Sequence, residues 1–160
     1  MENKVKQNIL KWMIEYIETN NEFYDYKFPP CPYAKSARLK GLVDIVAYST
    51  GSPYKFIKYQ IEDLIIQNKF NIRVMAFPMK MRWYFHLHFL INRLNKNLVK
   101  QDLYVQYGRT DEYFIVIVNK LSDVLDAHKA LLKTDYYKNW SKDHYHAVVE
   151  RRQKIYEKFK

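Results

Sequence analysis

The sequence predicts an α+β fold: a mixed sheet of about four strands in the order β-α-β-α-β-β-α, with N-terminal and C-terminal helices packed on it. Three observations carry this. Short β-branched apolar runs alternate with longer segments whose apolar residues recur every three or four positions. The three glycines, Gly41, Gly51 and Gly108, all fall between such segments. Two apolar runs, 103–107 and 113–118, are separated only by Gly108-Arg109-Thr110-Asp111-Glu112, a length suited to an antiparallel hairpin. With 160 residues and no repeat or linker, the chain is expected to form one domain over 1–160.

Each element has its own signal. Val5, Ile9, Trp12, Met13, Tyr16 and Ile17 share one face of a helix over 4–19, closed by Asn20-Asn21. Pro32 suits the first position of a short helix over 32–39. The apolar run 42–49 lies between two glycines and reads as a buried strand. Ser52-Pro53 caps a helix with Ile57, Ile61, Leu64 and Ile65 on one stripe. Residues 71–77 form the second strand, stopped by Pro78. A long helix over 81–100 presents Trp83, Leu87, Leu90, Ile91, Leu94 and Leu98. After the hairpin, one helix starts near Ser122 with Val124, Leu125, Leu131 and Leu132, and another at Ser141 with Tyr145, Val148, Val149, Tyr156 and Phe159.

The formal charge is +10 and the isoelectric point about 9.5. Most of the excess sits between Lys69 and Arg109, where eight cations face the single acid Asp102. Arg73, Arg82, Arg93 and Lys96 are the candidate phosphate contacts if the partner is a nucleic acid or another acidic polymer. The competing reading is base composition: an AT-rich genome enriches Lys, Asn, Ile and Tyr, and the chain carries 15 Tyr against 3 Gly. The first residues show no secretory pattern and no stretch reaches the roughly 20 apolar residues of a membrane span, so a cytoplasmic protein without membrane contact is expected.

The lone cysteine, Cys31, lies in Pro29-Pro30-Cys31-Pro32-Tyr33-Ala34-Lys35-Ser36-Ala37-Arg38-Leu39. With Pro32 opening a helix, Cys31 becomes the N-cap, where helix amides, Lys35 and Arg38 favour a thiolate. His86 and His88, like His144 and His146, are two residues apart and point about 200° away from each other on a helix, so neither pair chelates one ion, and no metal is expected. Asp44, inside an apolar strand, needs a partner, and Arg73 on a neighbouring strand is the simplest one. Tyr24, Tyr26, Phe28 and Trp83-Tyr84-Phe85 offer rings for base stacking or for core packing. Phosphate-loop, dinucleotide-turn, paired-cysteine and G-x-S-x-G signatures are missing from the sequence.

The box Cys31-Pro32-Tyr33-Ala34, followed by Lys35, Ala37, Arg38 and Leu39, resembles the active-site turn of glutaredoxins and the C-P-F-A box of omega-class glutathione transferases over about ten residues. The resemblance implies that Cys31 forms mixed disulfides with glutathione, the one cofactor considered. Lys35 and Arg38 would then bind the anionic thiol and Tyr33 would line its pocket. Ala34 in place of a second cysteine implies monothiol chemistry. The same resemblance requires a strand over 22–28. A second box, Pro30-Cys31-Pro32-Tyr33-Ala34 with the strand 42–49, the segment 71–78 and the helix over 83–94, is similar to small bacterial proteins of unknown function carrying P-F-C-P-F-A. That resemblance implies no activity, and the F-H-P segment of those proteins is replaced here by Val105-Gln106-Tyr107-Gly108. Three functional readings result: a binding or accessory protein, a monothiol transferase or reductase built on Cys31, and a nucleic-acid-associated protein built on the basic region 69–109.

Overall fold

The computed structural model describes residues 2–79 and 86–159. Four strands, β1 (Val43–Ala47), β2 (Ile72–Pro78), β3 (Leu103–Arg109) and β4 (Tyr113–Lys120), form one sheet in the order β1-β2-β4-β3. β1 runs parallel to β2, whereas β4 pairs antiparallel with both β2 and β3, so the sheet is mixed and the hairpin is present as its spacing predicts. The central strands β2 and β4 are buried on both faces, which is why their middles, Val74–Phe77 and Phe114–Val118, read as unbroken apolar runs.

Side-chain alternation sorts these strands into two cores. Val74, Ala76 and Ile115 meet Ile9 of α1 (Glu2–Trp12) and Met13 just beyond it. Met75, Phe77, Phe114, Val116 and Val118 meet Ile57, Ile61 and Leu64 of α3 (Pro53–Gln67) and Leu87, Ile91 and Leu98 of α4 (Leu87–Leu98). The result is three layers, with α1 on one face of the sheet and α3 and α4 on the other. A third cluster joins Val99, Leu121 and Leu125 of α5 (Leu121–Leu131) to Ile155, Tyr156 and Phe159 near the C-terminus.

Several element ends differ from the sequence expectation, each for a local reason. The first helix does not continue to Thr19 in α form: it passes into a π turn over Met13–Ile17, where the Glu18 N–H donates to the Met13 carbonyl at 2.9 Å, and Tyr16 is exposed. Ile65 is exposed and Phe56 packs inward instead, because the inner face of α3 is turned toward Gln60 and Asp63, which bind Arg73. α5 begins at Leu121, one residue before Ser122. Asp102 serves as its cap, accepting from the Ser122 N–H at 2.9 Å and from the Ser122 hydroxyl at 2.5 Å. Leu132 lies beyond the helix and is exposed. The first part of the helix expected over 81–100, with Arg82 and Trp83, lies outside the described residues. Its end is α4 plus a 3-10 turn, Val99–Gln101.

The last helical segment starts after Ser141, whose hydroxyl accepts from the His144 N–H at 3.1 Å. It is a continuous rod of α6 (Lys142–Tyr145), a π turn (His146–Glu150) and α7 (Arg151–Phe159).

β3 is an edge strand, and edges leave backbone groups unpaired. Asn95 of α4, only 2% exposed, resolves this at Val105: its side-chain N–H donates to the Val105 carbonyl at 2.9 Å and its carbonyl accepts the Val105 N–H at 2.7 Å. One amide thus imitates a neighbouring strand and fixes α4 against the sheet. Asn95→Leu strands both backbone groups in the core and is expected to cost about 2–4 kcal/mol in urea unfolding, while Asn97→Ala, at an exposed position of the same helix, leaves the midpoint nearly unchanged.

Candidate functional site

The turn around Cys31 is built by three backbone bonds. The Cys31 N–H donates to the Ile17 carbonyl at 3.1 Å, the Cys31 carbonyl accepts the Ala34 N–H at 3.1 Å, and the Ala37 N–H donates to Tyr33 at 3.0 Å. The helix α2 (Ala34–Leu39) therefore starts two residues later than expected, and Cys31 precedes it in a turn instead of capping it. Residues 22–28 do not form the strand that the glutaredoxin resemblance requires. They fold as a 3-10 turn, Glu22–Tyr24, followed by left-handed Asp25 and Tyr26 with φ of 53° and 55°.

Desolvation raises the Cys31 thiol above its ordinary range and is the largest influence on it. Hydrogen bonds from the Tyr33 and Ala34 amides and the charge of Arg152 oppose this, and Glu18 adds to it. The residue keeps exposed surface, so area alone points to a hydrated thiol. The crowded surroundings of the sulfur decide the direction, because the thiolate, not the residue's outer atoms, has to be solvated.

The other box residues diverge. Arg38 makes a two-pronged pair with Glu18, Nε to Oε1 at 2.7 Å and Nη2 to Oε2 at 2.8 Å, and the Glu18 side chain is 3% exposed. Its guanidinium is committed inward. Tyr33 donates its hydroxyl to the Ala127 carbonyl of α5 at 3.4 Å, and Lys35 is exposed. Cys31 and Tyr33 thus share a turn, while Arg38 serves the fold.

Behind that turn lies an aromatic seam built on Tyr136, Tyr137 and His128, which the sequence reading did not single out. Tyr136 is buried, stacks on Tyr24 at 4.7 Å between ring centroids, and donates its hydroxyl to the Pro30 carbonyl. Burial pushes the Tyr136 hydroxyl up, and burial likewise pushes Tyr137 up to about 12. His128 sits between the hydroxyls of Tyr137 at 2.9 Å and Tyr145 at 3.5 Å, and burial, then Arg152, hold its pKa down. Lys27–Asp135 and Lys138–Asp25, both at 3.3 Å, stitch the same two segments together at the surface. The clustering of Tyr136, Tyr137, Trp140 and Tyr145 within ten residues was the available signal.

The basic candidates also separate. Arg73 is 2% exposed and bound to Asp44 and Asp63, so it is removed from any phosphate surface. Arg82 lies outside the described residues. Arg93 and Lys96 are exposed on α4, with Lys100 just beyond. The structure brings a second group of cations beside them. α7 docks through Ile155, Tyr156 and Phe159, the Arg151 Nη2 donates to Asn92 Oδ1 of α4 at 2.5 Å, and Arg152 stacks over Tyr104 at 5.1 Å. Over α4, the 3-10 turn and α7 there are seven cations (Arg93, Lys96, Lys100, Arg151, Arg152, Lys154, Lys158) against one acid, Glu157.

Two of the open hollows among the described residues bear on the site. One, of about 870 Å³ between α1 and the β3–β4 hairpin, mixes Lys11 and Arg109 with Glu15, Asp111 and Glu112. The other, of about 550 Å³, lies at the start of the C-terminal rod against Tyr137, Trp140 and Tyr145. Among the described residues no His, Cys, Asp or Glu cluster has the size of a metal site, and no helix is long and apolar enough to cross a membrane. The chain matches no protein-family model, and no curated protein or solved structure is significantly similar to it.

The raised thiol has a direct kinetic consequence. Alkylation of Cys31 by iodoacetamide in the folded protein is expected to be slower at pH 7 than for a free thiol with pKa about 8.5. Its rate should rise only at a pH above that value and reach the free-thiol rate after denaturation. A pH–rate profile with its midpoint below 8 contradicts this.

Proposed function

We propose that this chain is a binding protein for a polyanion, nucleic acid in the first place, and that α4, the 3-10 turn and α7 present the contact surface. The observation that carries the reading is the surplus of six positive charges on α4, the 3-10 turn and α7, which pack together from sequence positions more than fifty residues apart. Chance scatter of lysines from base composition predicts no such convergence. Cations held on rigid helices meet a phosphate backbone with no main-chain ordering left to do, so the entropy cost is confined to their side chains, and each neutralised phosphate releases condensed counterions. A cytoplasmic location, where nucleic acid is reached, belongs to this proposal.

The monothiol reading stands second. It needs a thiolate at neutral pH and a free cation for the carboxylates of glutathione, whereas desolvation disfavours the thiolate of Cys31 and Arg38 is occupied by Glu18. Lys35 and Tyr33 are the remaining groups from which such a site could be built.

Fluorescence anisotropy with a labelled oligonucleotide tests the proposal. Log affinity should fall with log salt by about 0.7–0.9 per phosphate contact. Replacing Arg93, Lys96 and Lys154 with Glu should lower affinity at least tenfold and flatten the slope by about two to three. Replacing Lys4, Lys40 and Lys55, exposed cations elsewhere, changes net charge equally and should do far less. Equal losses from the two triple variants would mean undirected charge attraction and overturn the proposal.

A further inference from the structure

The C-terminal rod runs unbroken from the hollow at its start to the cations of α7, and on the strength of the polyanion reading we infer that the partner is single-stranded, with one unpaired base taken into that hollow. The C-terminal rod places Lys142, His146, Glu150, Lys154 and Lys158 four residues apart, and all five are exposed. Residues four apart share a helix face, drifting about 40° per step in an α-helix. The wider π turn over His146–Glu150 offsets part of that drift. A single row about 24 Å long therefore leads from the hollow to the cations of α7. Its one acid, Glu150, is hydrogen-bonded through Oε2 to His146 Nδ1 at 2.7 Å.

The hollow has the chemistry for a base. Trp140 and Tyr145 supply aromatic surface, Lys142 is the cation at its edge for a flanking phosphate, and Asp143 offers a carboxylate acceptor to exocyclic amino or ring N–H groups, while Glu150, also in the lining, is held by His146. Trp140 also leaves its indole N–H buried without an acceptor. A volume of about 550 Å³ admits a planar ring system with part of its sugar. A duplex cannot offer that contact without extruding a nucleotide from its stack, and this penalty is what separates the two partners.

The test compares a 15-nucleotide oligothymidylate with a 15-base-pair duplex on the full chain at one salt concentration, by anisotropy. The single strand is expected to bind at least tenfold tighter. In a Trp12→Phe, Trp83→Phe background, the emission of the remaining Trp140 should be quenched at saturation. Trp140→Leu should bring the single-strand affinity down about tenfold, toward the duplex value. If that variant fails to fold, the ratio of the two ligands and the quenching decide. Equal or tighter duplex binding, or Trp140 emission unchanged at saturation, overturns the single-strand inference and leaves the polyanion reading standing. Binding of neither ligand overturns both.

Discussion

The ion cluster around Arg73 is the constraint on which the rest of the structure depends. Arg73 sits on the central strand β2, where an unpaired guanidinium could not be tolerated. It donates from Nε to Asp44 of β1 at 2.9 Å, and from Nη1 to Asp63 Oδ2 at 2.7 Å and to the Gln60 carbonyl and side chain of α3 at 2.8 and 3.1 Å. Both carboxylates keep about a quarter of their surface in water, which lessens the cost of burying three charges together. The bond from Arg73 is the largest influence holding the Asp63 carboxyl below its usual range. One side chain thereby closes the β1-α3-β2 unit, sets the parallel register that places Asp44 beside Arg73, and rotates α3 about its axis.

That rotation has consequences at a distance. With Gln60 and Asp63 turned inward, Ile57, Ile61 and Leu64 meet Met75 and Phe77, and α4 fills the rest of the same face. Asn95 then completes the edge strand β3, and the C-terminal rod can dock beside α4 through Ile155, Tyr156 and Phe159. Because the charge of Arg73 is spent inside the fold, the positive surface has to come from elsewhere. It comes from α4 and α7, and their surplus of cations is possible because both helices turn their apolar stripes inward and leave the opposite faces to water.

The α+β class, the four strands, the hairpin and the Asp44–Arg73 pairing were legible because each is written in local periodicity or in a lone charge within an apolar run. The start of α2 was not. Pro32 suits a turn as well as a first helical position, and what decides between them is the bond from the Cys31 N–H to Ile17, a residue on another element. Arg38 read as a free cation because its partner Glu18 is twenty residues upstream. Arg73 read as surface charge and as the partner of Asp44 at once, and burial chose the second. The union of 93–100 with 151–159 depends on tertiary docking, which periodicity cannot express, and the π turns have no sequence signature in a single chain. The tyrosines near position 140 were visible as composition, but their convergence on Tyr24 and Pro30 was not.

Where an anionic chain would make contact is read directly by amide chemical-shift mapping. Titrating the isotope-labelled protein with a short oligothymidylate should move resonances of α4, the 3-10 turn and residues 140–158, leaving α2 and the Cys31 turn nearly unchanged. Shifts concentrated on Cys31, Tyr33 and Lys35, or spread evenly over every exposed lysine, would contradict a contact surface on α4 and α7.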